Sequence, residues 1–300
     1  MSNIKAGTIL GGGAMAAWPE RAQPMLNMVL TEQQAAGGMS VTIERGERFV
    51  LHRGVAIVPV RGLLNPNAFM LERWLGWTTY QGLEETMAFL SASEDVAAII
   101  LMFDTPGGFV LGLQGAVQAI ASAAAVKPVH GIVHPLAASA GYWLASQCRE
   151  VVLTPGSEVG SVGVAIGLAT PQETGMDGWR DFIITSAHAG AKRADPATER
   201  GAAMVQADLD TLESEFLAAV SAGRGIAVDD LPETLSRTGD PAEGGAMFWG
   251  AEAQRRGLVD TIETYADAMA RLTAAYAPKP RKSARARAAQ VEAAKAISES

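Results

Sequence analysis

A serine flanked by small residues stands in Ala137-Ala138-Ser139-Ala140-Gly141-Tyr142-Trp143. A serine hydroxyl attacks a carbonyl only when a base takes its proton and hydrogen-bond donors receive the developing oxyanion. The small neighbours of Ser139 let a substrate carbonyl approach closely. A serine between a strand end and a helix start also has the setting of a nucleophile elbow, with Ala138 and Ala140 where that motif carries glycines. The competing reading is a serine that only caps a helix. Upstream, Asp104-Thr105-Pro106-Gly107-Gly108 holds two glycines whose N–H groups can face an oxyanion, because a residue without a side chain takes positive φ and lies close to substrate. Pro-Gly-Gly is equally good chemistry for a plain turn.

For the base, His130, His134 and His188 compete with Lys127 and Lys192, and spacing offers no His–Asp pair. A lysine base must be neutral, so its pKa of ~10.4 has to fall by roughly three units, about 4 kcal/mol of desolvation or like-charge repulsion. Lys192 follows the small residues Ala189-Gly190-Ala191 and the apolar run Phe182-Ile183-Ile184, a context able to hold it against a sheet edge, with Arg193 adding like charge. The alternative for any single lysine is an exposed surface position.

The elements that position these residues are short apolar runs separated by helical stretches. Strands are expected at Val55–Val60, Val96–Phe103, Val129–Val133 and Val151–Leu153, with a turn at His134-Pro135. Helices are expected at about 79–91, 111–125 and 139–147. A β-α-β-α-β order favours an α/β fold with a parallel sheet and crossover helices, since parallel neighbours cannot be joined by hairpins. Ligand sites of such sheets gather at the strand C-terminal ends, where both Asp104–Gly108 and Pro135–Ser139 fall. Further on, Val205, Leu209, Leu212, Phe216 and Val220 recur at helical spacing, the stripe of a long amphipathic helix facing core or a subunit interface.

Three segments are expected: an N-terminal arm over 1–50, a folded domain over 51–275 and a basic tail over 276–300. The run Thr8–Trp18 after Lys5 is broken by Gly11, Gly12 and Gly13, which weakens any secretory reading and favours a flexible arm. No Gly-Lys-Ser/Thr follows those glycines, so they do not make a phosphate loop. The tail carries Lys279, Arg281, Lys282, Arg285 and Arg287 among alanines without apolar periodicity, and reads as disordered or partner-bound. A net charge of −8 excludes a general nucleic-acid surface. One cysteine, Cys148, excludes an intramolecular disulfide and cysteine-based zinc sites, in keeping with the cytoplasm. No stretch approaches the ~20 apolar residues of a membrane span.

Taken jointly and in order, Asp104-Thr105-Pro106-Gly107-Gly108, Ala138-Ser139-Ala140-Gly141-Tyr142, Gly160-Ser161-Val162-Gly163-Val164, a lysine at 192 and the segment Phe248–Asp260 resemble the signal peptide peptidase A family. The resemblance covers about Gly54 to Ile262. It implies a Clp-protease/crotonase-like fold, ring-shaped homo-oligomers and a Ser-Lys dyad acting on protein or peptide substrates without metal or cofactor. By the same resemblance Ser139 is the nucleophile, Lys192 the base, Gly108 with Gly107 beside it the oxyanion site, and Ser161 the hydroxyl that aims the lysine. Gly163 and Val164 would lie along an extended substrate. Thr105 stands where the family more often has serine and Ala140 where it more often has glycine, and the spacing before Lys192 is shifted. Soluble members include phage head-maturation proteases, which implies capsid or scaffold substrates, with the basic tail as a tether to an acidic scaffold, in host cytoplasm or prohead. The other readings are a general protein-degrading or signal-peptide peptidase, a non-catalytic shell subunit, and an acyl-coenzyme-A enzyme of the related fold.

Overall fold

A computed structural model describes residues 4–31, 34, 43–166 and 194–277. Lys192, Arg193, His188, the run Phe182-Ile183-Ile184 and nearly all of the basic tail lie outside the described residues.

The strands are β1 Ile4–Lys5, β2 Met15–Ala17, β3 Val29–Leu30, β4 Val50–His52, β5 Val55–Arg61, β6 Ala98–Thr105, β7 Gly107–Phe109, β8 Val129–Ala138, β9 Glu150–Leu153, β10 Glu158–Gly160, β11 Met247–Trp249 and β12 Thr261–Ile262. The main sheet is mostly parallel. Its central path runs β10-β8-β6-β5, with β4 and β11 added antiparallel at the two ends. β8 has two neighbours on one side: its first half pairs with β9, its last three residues with β10. β12 extends β9 in parallel.

Helices Tyr80–Ala92 and Leu113–Val126 make the crossovers that the alternation of apolar runs implies. Thr79 caps the first by accepting the Gly82 N–H, leaving one fewer orphan donor at the helix start. Because successive strand residues face opposite ways, Ile99, Leu101 and Phe103 enter the core under these crossovers. Ile100 and its neighbours Val55, Ile132 and Val152 meet Ala268 and Leu272 of the helix Tyr265–Tyr276 on the other face. The sheet is therefore covered on both sides, as parallel sheets are.

The amphipathic stripe forms the helix Glu199–Arg224. Phe216 and Val220 are buried, whereas Val205, Leu209 and Leu212 are only half-buried. Phe216 stacks on Trp143 with ring centroids 4.2 Å apart. Cys148 is buried, and burial pushes its thiol up to about 12, so it is not a reactive group.

Two expectations are corrected. His134-Pro135 is not a turn. β8 runs on through it, and the pairing with β6 passes from Phe103–Val133 to Asp104–Leu136, so the two residues form a bulge. The cis peptide bond lies within it. Nor are residues 4–30 a loose arm. Gly11 ends the helix Ala6–Leu10 at φ 70°, the chain re-enters as β2, and Ala6, Ala22 and Leu30 bury against Leu63, Leu71, Trp77 and Phe109 in a second apolar cluster. The glycines that argued against structure are the corner that makes it.

Candidate active site

Strand β8 delivers Ser139 to the end of the sheet, and helix Ala140–Ala145 begins at the next residue. Between them Ser139 holds φ 54° and ψ −120°, a conformation a side-chain-bearing residue rarely adopts. It is held there from both sides. Its N–H donates to the Gly160 carbonyl at 2.7 Å, and its own carbonyl accepts the Trp143 N–H at 2.9 Å. The side chain is nearly sealed from solvent (1% exposed), with Oγ 3.5 Å from the Gly163 carbonyl, the outer limit of a hydrogen bond.

The helix that follows is tied down below. Tyr142 donates its hydroxyl to the Leu258 carbonyl at 2.9 Å, within the Gly257-Leu258-Val259-Asp260 turn. Asp260 in turn accepts two bonds from Arg224 at 2.9 Å and one from the Val151 N–H at 2.6 Å. Burial alone would raise the Asp260 carboxyl, but these donors outweigh it and hold it below its ordinary value.

Gly107 and Gly108 form β7 beside this serine. Gly107 needs its glycine: φ is 102°, and a Cβ would fall 2.2 Å from the Ala16 carbonyl oxygen and 2.9 Å from that of Ala138. Its N–H is donated to Thr105 Oγ1 at 3.0 Å, and that hydroxyl donates to the Gly62 carbonyl at 2.6 Å. So of the two glycine amides that of Gly107 is turned inward to Thr105, and that of Gly108 faces the edge along which β2 runs. The threonine hydroxyl thus does what a serine there would do. Its extra methyl occupies the space over Gly141, where a Cβ would lie 2.4 Å from it.

Ser161 lies beyond β10, also at positive φ (53°), its N–H donated to the Ala246 carbonyl at 3.0 Å. Gly160 at φ 133° and Gly163 at φ 147° bracket it. Residues 139, 161, 163 and 107–108 therefore meet at one end of the sheet, where the strands' C-terminal ends lie. Lys192 is outside the described residues, and the structure does not bear on it.

Sequence reasoning missed Thr105 as the residue that fixes Gly107, since its partners are read only from the fold. It also missed a His–carboxylate pair. His130 Nδ1 lies 2.8 Å from Glu150, and Nε2 2.9 Å from the Tyr276 hydroxyl. This pair sits at the start of β8, the far end from Ser139, under helix Tyr265–Tyr276.

The sequence is similar to known proteins. A model described as Peptidase family S49 matches residues 121–277, a span that includes Ser139, Ser161 and Lys192 and leaves out the two glycines. Capsid assembly protease C of Escherichia phage lambda is 26% identical over 256 residues, covering 80% of this chain and 54% of that protein. Head-tail preconnector protein GP5 of Enterobacteria phage P21 is 28% identical over 250 residues, covering 80% and 46%. Protease 4 of Salmonella typhi is 27% identical over 180 residues, covering 59% and 28%. The chain thus spans about half the length of the two phage relatives, and less of the third.

Proposed function

The chain belongs to peptidase family S49, and from that premise we propose that it is a serine endopeptidase in which Ser139 attacks the peptide carbonyl and Lys192 is the general base. The observation that carries this reading is the strained corner at Ser139, where a buried serine at φ 54° and ψ −120° leaves a parallel strand beside Gly108. Such strain costs of order 1–3 kcal/mol and persists where a site needs it.

The steps follow from acyl-transfer chemistry. Neutral Lys192 takes the Ser139 proton as Oγ bonds to the carbonyl carbon, and returns it to the leaving amine as the C–N bond breaks. Water then attacks the acyl-enzyme and releases the acid. The Gly108 N–H is one oxyanion donor, with Gly107 turning the chain toward it. A second is the Ala140 N–H, which opens a helix and so has no acceptor within it. The Ser161 hydroxyl aims the lysine amine, and Gly163 with Val164 lines the extended substrate.

The substrates we propose are phage capsid or scaffold proteins, cut during head maturation in the host cytoplasm or prohead, because two of the relatives are named for capsid assembly and for the head-tail preconnector. We further propose a homo-oligomeric ring and a scaffold contact through the basic tail. The similarity to Protease 4 favours a second reading, a general protein-degrading or signal-peptide peptidase. Among the described residues no helix is long and apolar enough to cross a membrane.

The test is casein hydrolysis and intact mass for the wild type, Ser139→Ala and Lys192→Ala. Cleavage by wild type alone, with both variants folded, supports the dyad. Equal behaviour of all three, with capsid and scaffold proteins also offered, leaves a non-catalytic shell subunit.

A further inference from the structure

One strand of this chain lies where a substrate would lie. β2 (Met15–Ala17) runs antiparallel to β7, with Met15 opposite Phe109, Ala16 opposite Gly108 and Ala17 opposite Gly107. Its other edge is paired as well. Met15 and Ala165 exchange both backbone bonds, N–H to carbonyl at 2.8 and 2.9 Å, just beyond Gly163 and Val164. Residues 14–18 are therefore clasped between the glycine strand and the segment that follows Ser161, closing the edges that an extended peptide would use.

The register is that of a substrate. The Trp18 N–H donates to Pro106 and the Val110 N–H to Ala14, at 2.7 and 3.1 Å. In an antiparallel ladder hydrogen-bonded pairs alternate, so Ala16 and Gly108, midway between those two, form the next such pair. The Ala16 carbonyl thus faces the amide assigned to the oxyanion. The proximity of that carbonyl to the Cβ position of Gly107 agrees. The residues at this point are Ala14-Met15-Ala16-Ala17: the three alanines fit a cleft walled by glycine and alanine backbone, Met15 packs against the second apolar cluster, and Ala16 is fully buried.

We propose that Ala14–Trp18 is an intramolecular substrate mimic which occupies the peptide cleft and must leave before another chain can enter. The inference rests on the reading of Ser139 and Gly108 given above. The segment is anchored by the second apolar cluster through the short helices on either side of β2, so release means loosening a small layer and not the main sheet.

The test uses the full chain carrying Ser139→Ala, so that nothing is cut, and measures by fluorescence anisotropy the affinity for a labelled, end-capped pentapeptide with the sequence of residues 14–18. Met15→Pro removes the donor to Ala165. Trp18→Pro removes the donor to Pro106 at a residue whose φ of −71° already suits proline, and so guards against a misfolded Met15→Pro. The expected result is at least tenfold tighter peptide binding in Met15→Pro and a smaller gain in Trp18→Pro. Unchanged affinity in both variants, with unchanged melting temperature, overturns the proposal. Casein hydrolysis by the same variants with Ser139 restored separates the two readings. Tighter binding without hydrolysis in any form sinks the peptidase assignment and keeps the mimic, while hydrolysis by the parent with no gain in binding does the reverse.

Discussion

Ser139 and Ser161 leave two neighbouring parallel strands at the same level, each one residue past the paired positions Ala138 and Gly160, and each at positive φ (54° and 53°). The Ser139 N–H bonded to Gly160 locks the two corners together. The two serines therefore share one end of the sheet.

That arrangement gives Ser161→Ala a specific signature. If Ser161 aims the neutral amine of Lys192, its loss lowers kcat about fivefold, the worth of one hydrogen bond of ~1 kcal/mol, with KM little changed. The pH profile of kcat moves as well, since a hydrogen bond to the neutral base favours that form and its loss raises the basic pKa. Steady-state kinetics from pH 6 to 10 on Ser161→Ala and Ser161→Thr reads this. A purely structural role predicts lower stability with an unmoved profile, and no rescue by threonine.

The methyl of Thr105 over Gly141 predicts a change of sign in a double-mutant cycle. Gly141→Ala alone places a Cβ 2.4 Å from Thr105 Cγ2, an overpacking cost of about 1–3 kcal/mol that exceeds the gain in helix propensity. Thr105→Ser keeps the hydroxyl bonds to Gly62 and Gly107 but removes that methyl, leaving the Thr105 carbonyl at 3.5 Å as the next contact. Gly141→Ala in the Thr105→Ser background is then neutral or stabilising. Urea denaturation of the four proteins measures the coupling.

His130 makes folding sensitive to acid. Burial holds its pKa below the ordinary 6.5, despite the bond to Glu150. The unfolded chain therefore binds the proton more readily. Stability from this group is complete above about pH 6.5 and is lost as pH falls toward the folded pKa. His130→Gln, which cannot titrate, flattens the dependence of the urea midpoint on pH between 7 and 5. An unchanged slope in that variant assigns the acid sensitivity elsewhere.

The β-branched runs made the central strands legible, because a strand buried on both faces needs continuous apolar sequence and little else produces it. Val55–Arg61 and Ala98–Thr105 came through nearly as read. Proline hid the true length of β8, since a bulge tolerates Pro135 where a regular ladder would not. The pairing of Met15–Ala17 with Gly107–Phe109 left no trace in periodicity. Glycine and alanine strands have no apolar alternation, and their stability comes from backbone bonds and the fit of small residues. At the site, the serine corner was legible from its small neighbours. The duties of Thr105 and of the His130–Glu150–Tyr276 contact were not, since they join residues that only the fold brings together.

The pairing of Ala17 with Gly107 closes a loop of about 90 residues, whereas each βαβ unit of the main sheet closes a shorter one. Contacts of long sequence separation pay their loop entropy before they are rewarded, and tend to form late. The central sheet can thus assemble around Ser139 while the amino terminus is still free. On that order the proposed peptide cleft stands open until the amino-terminal layer docks over it.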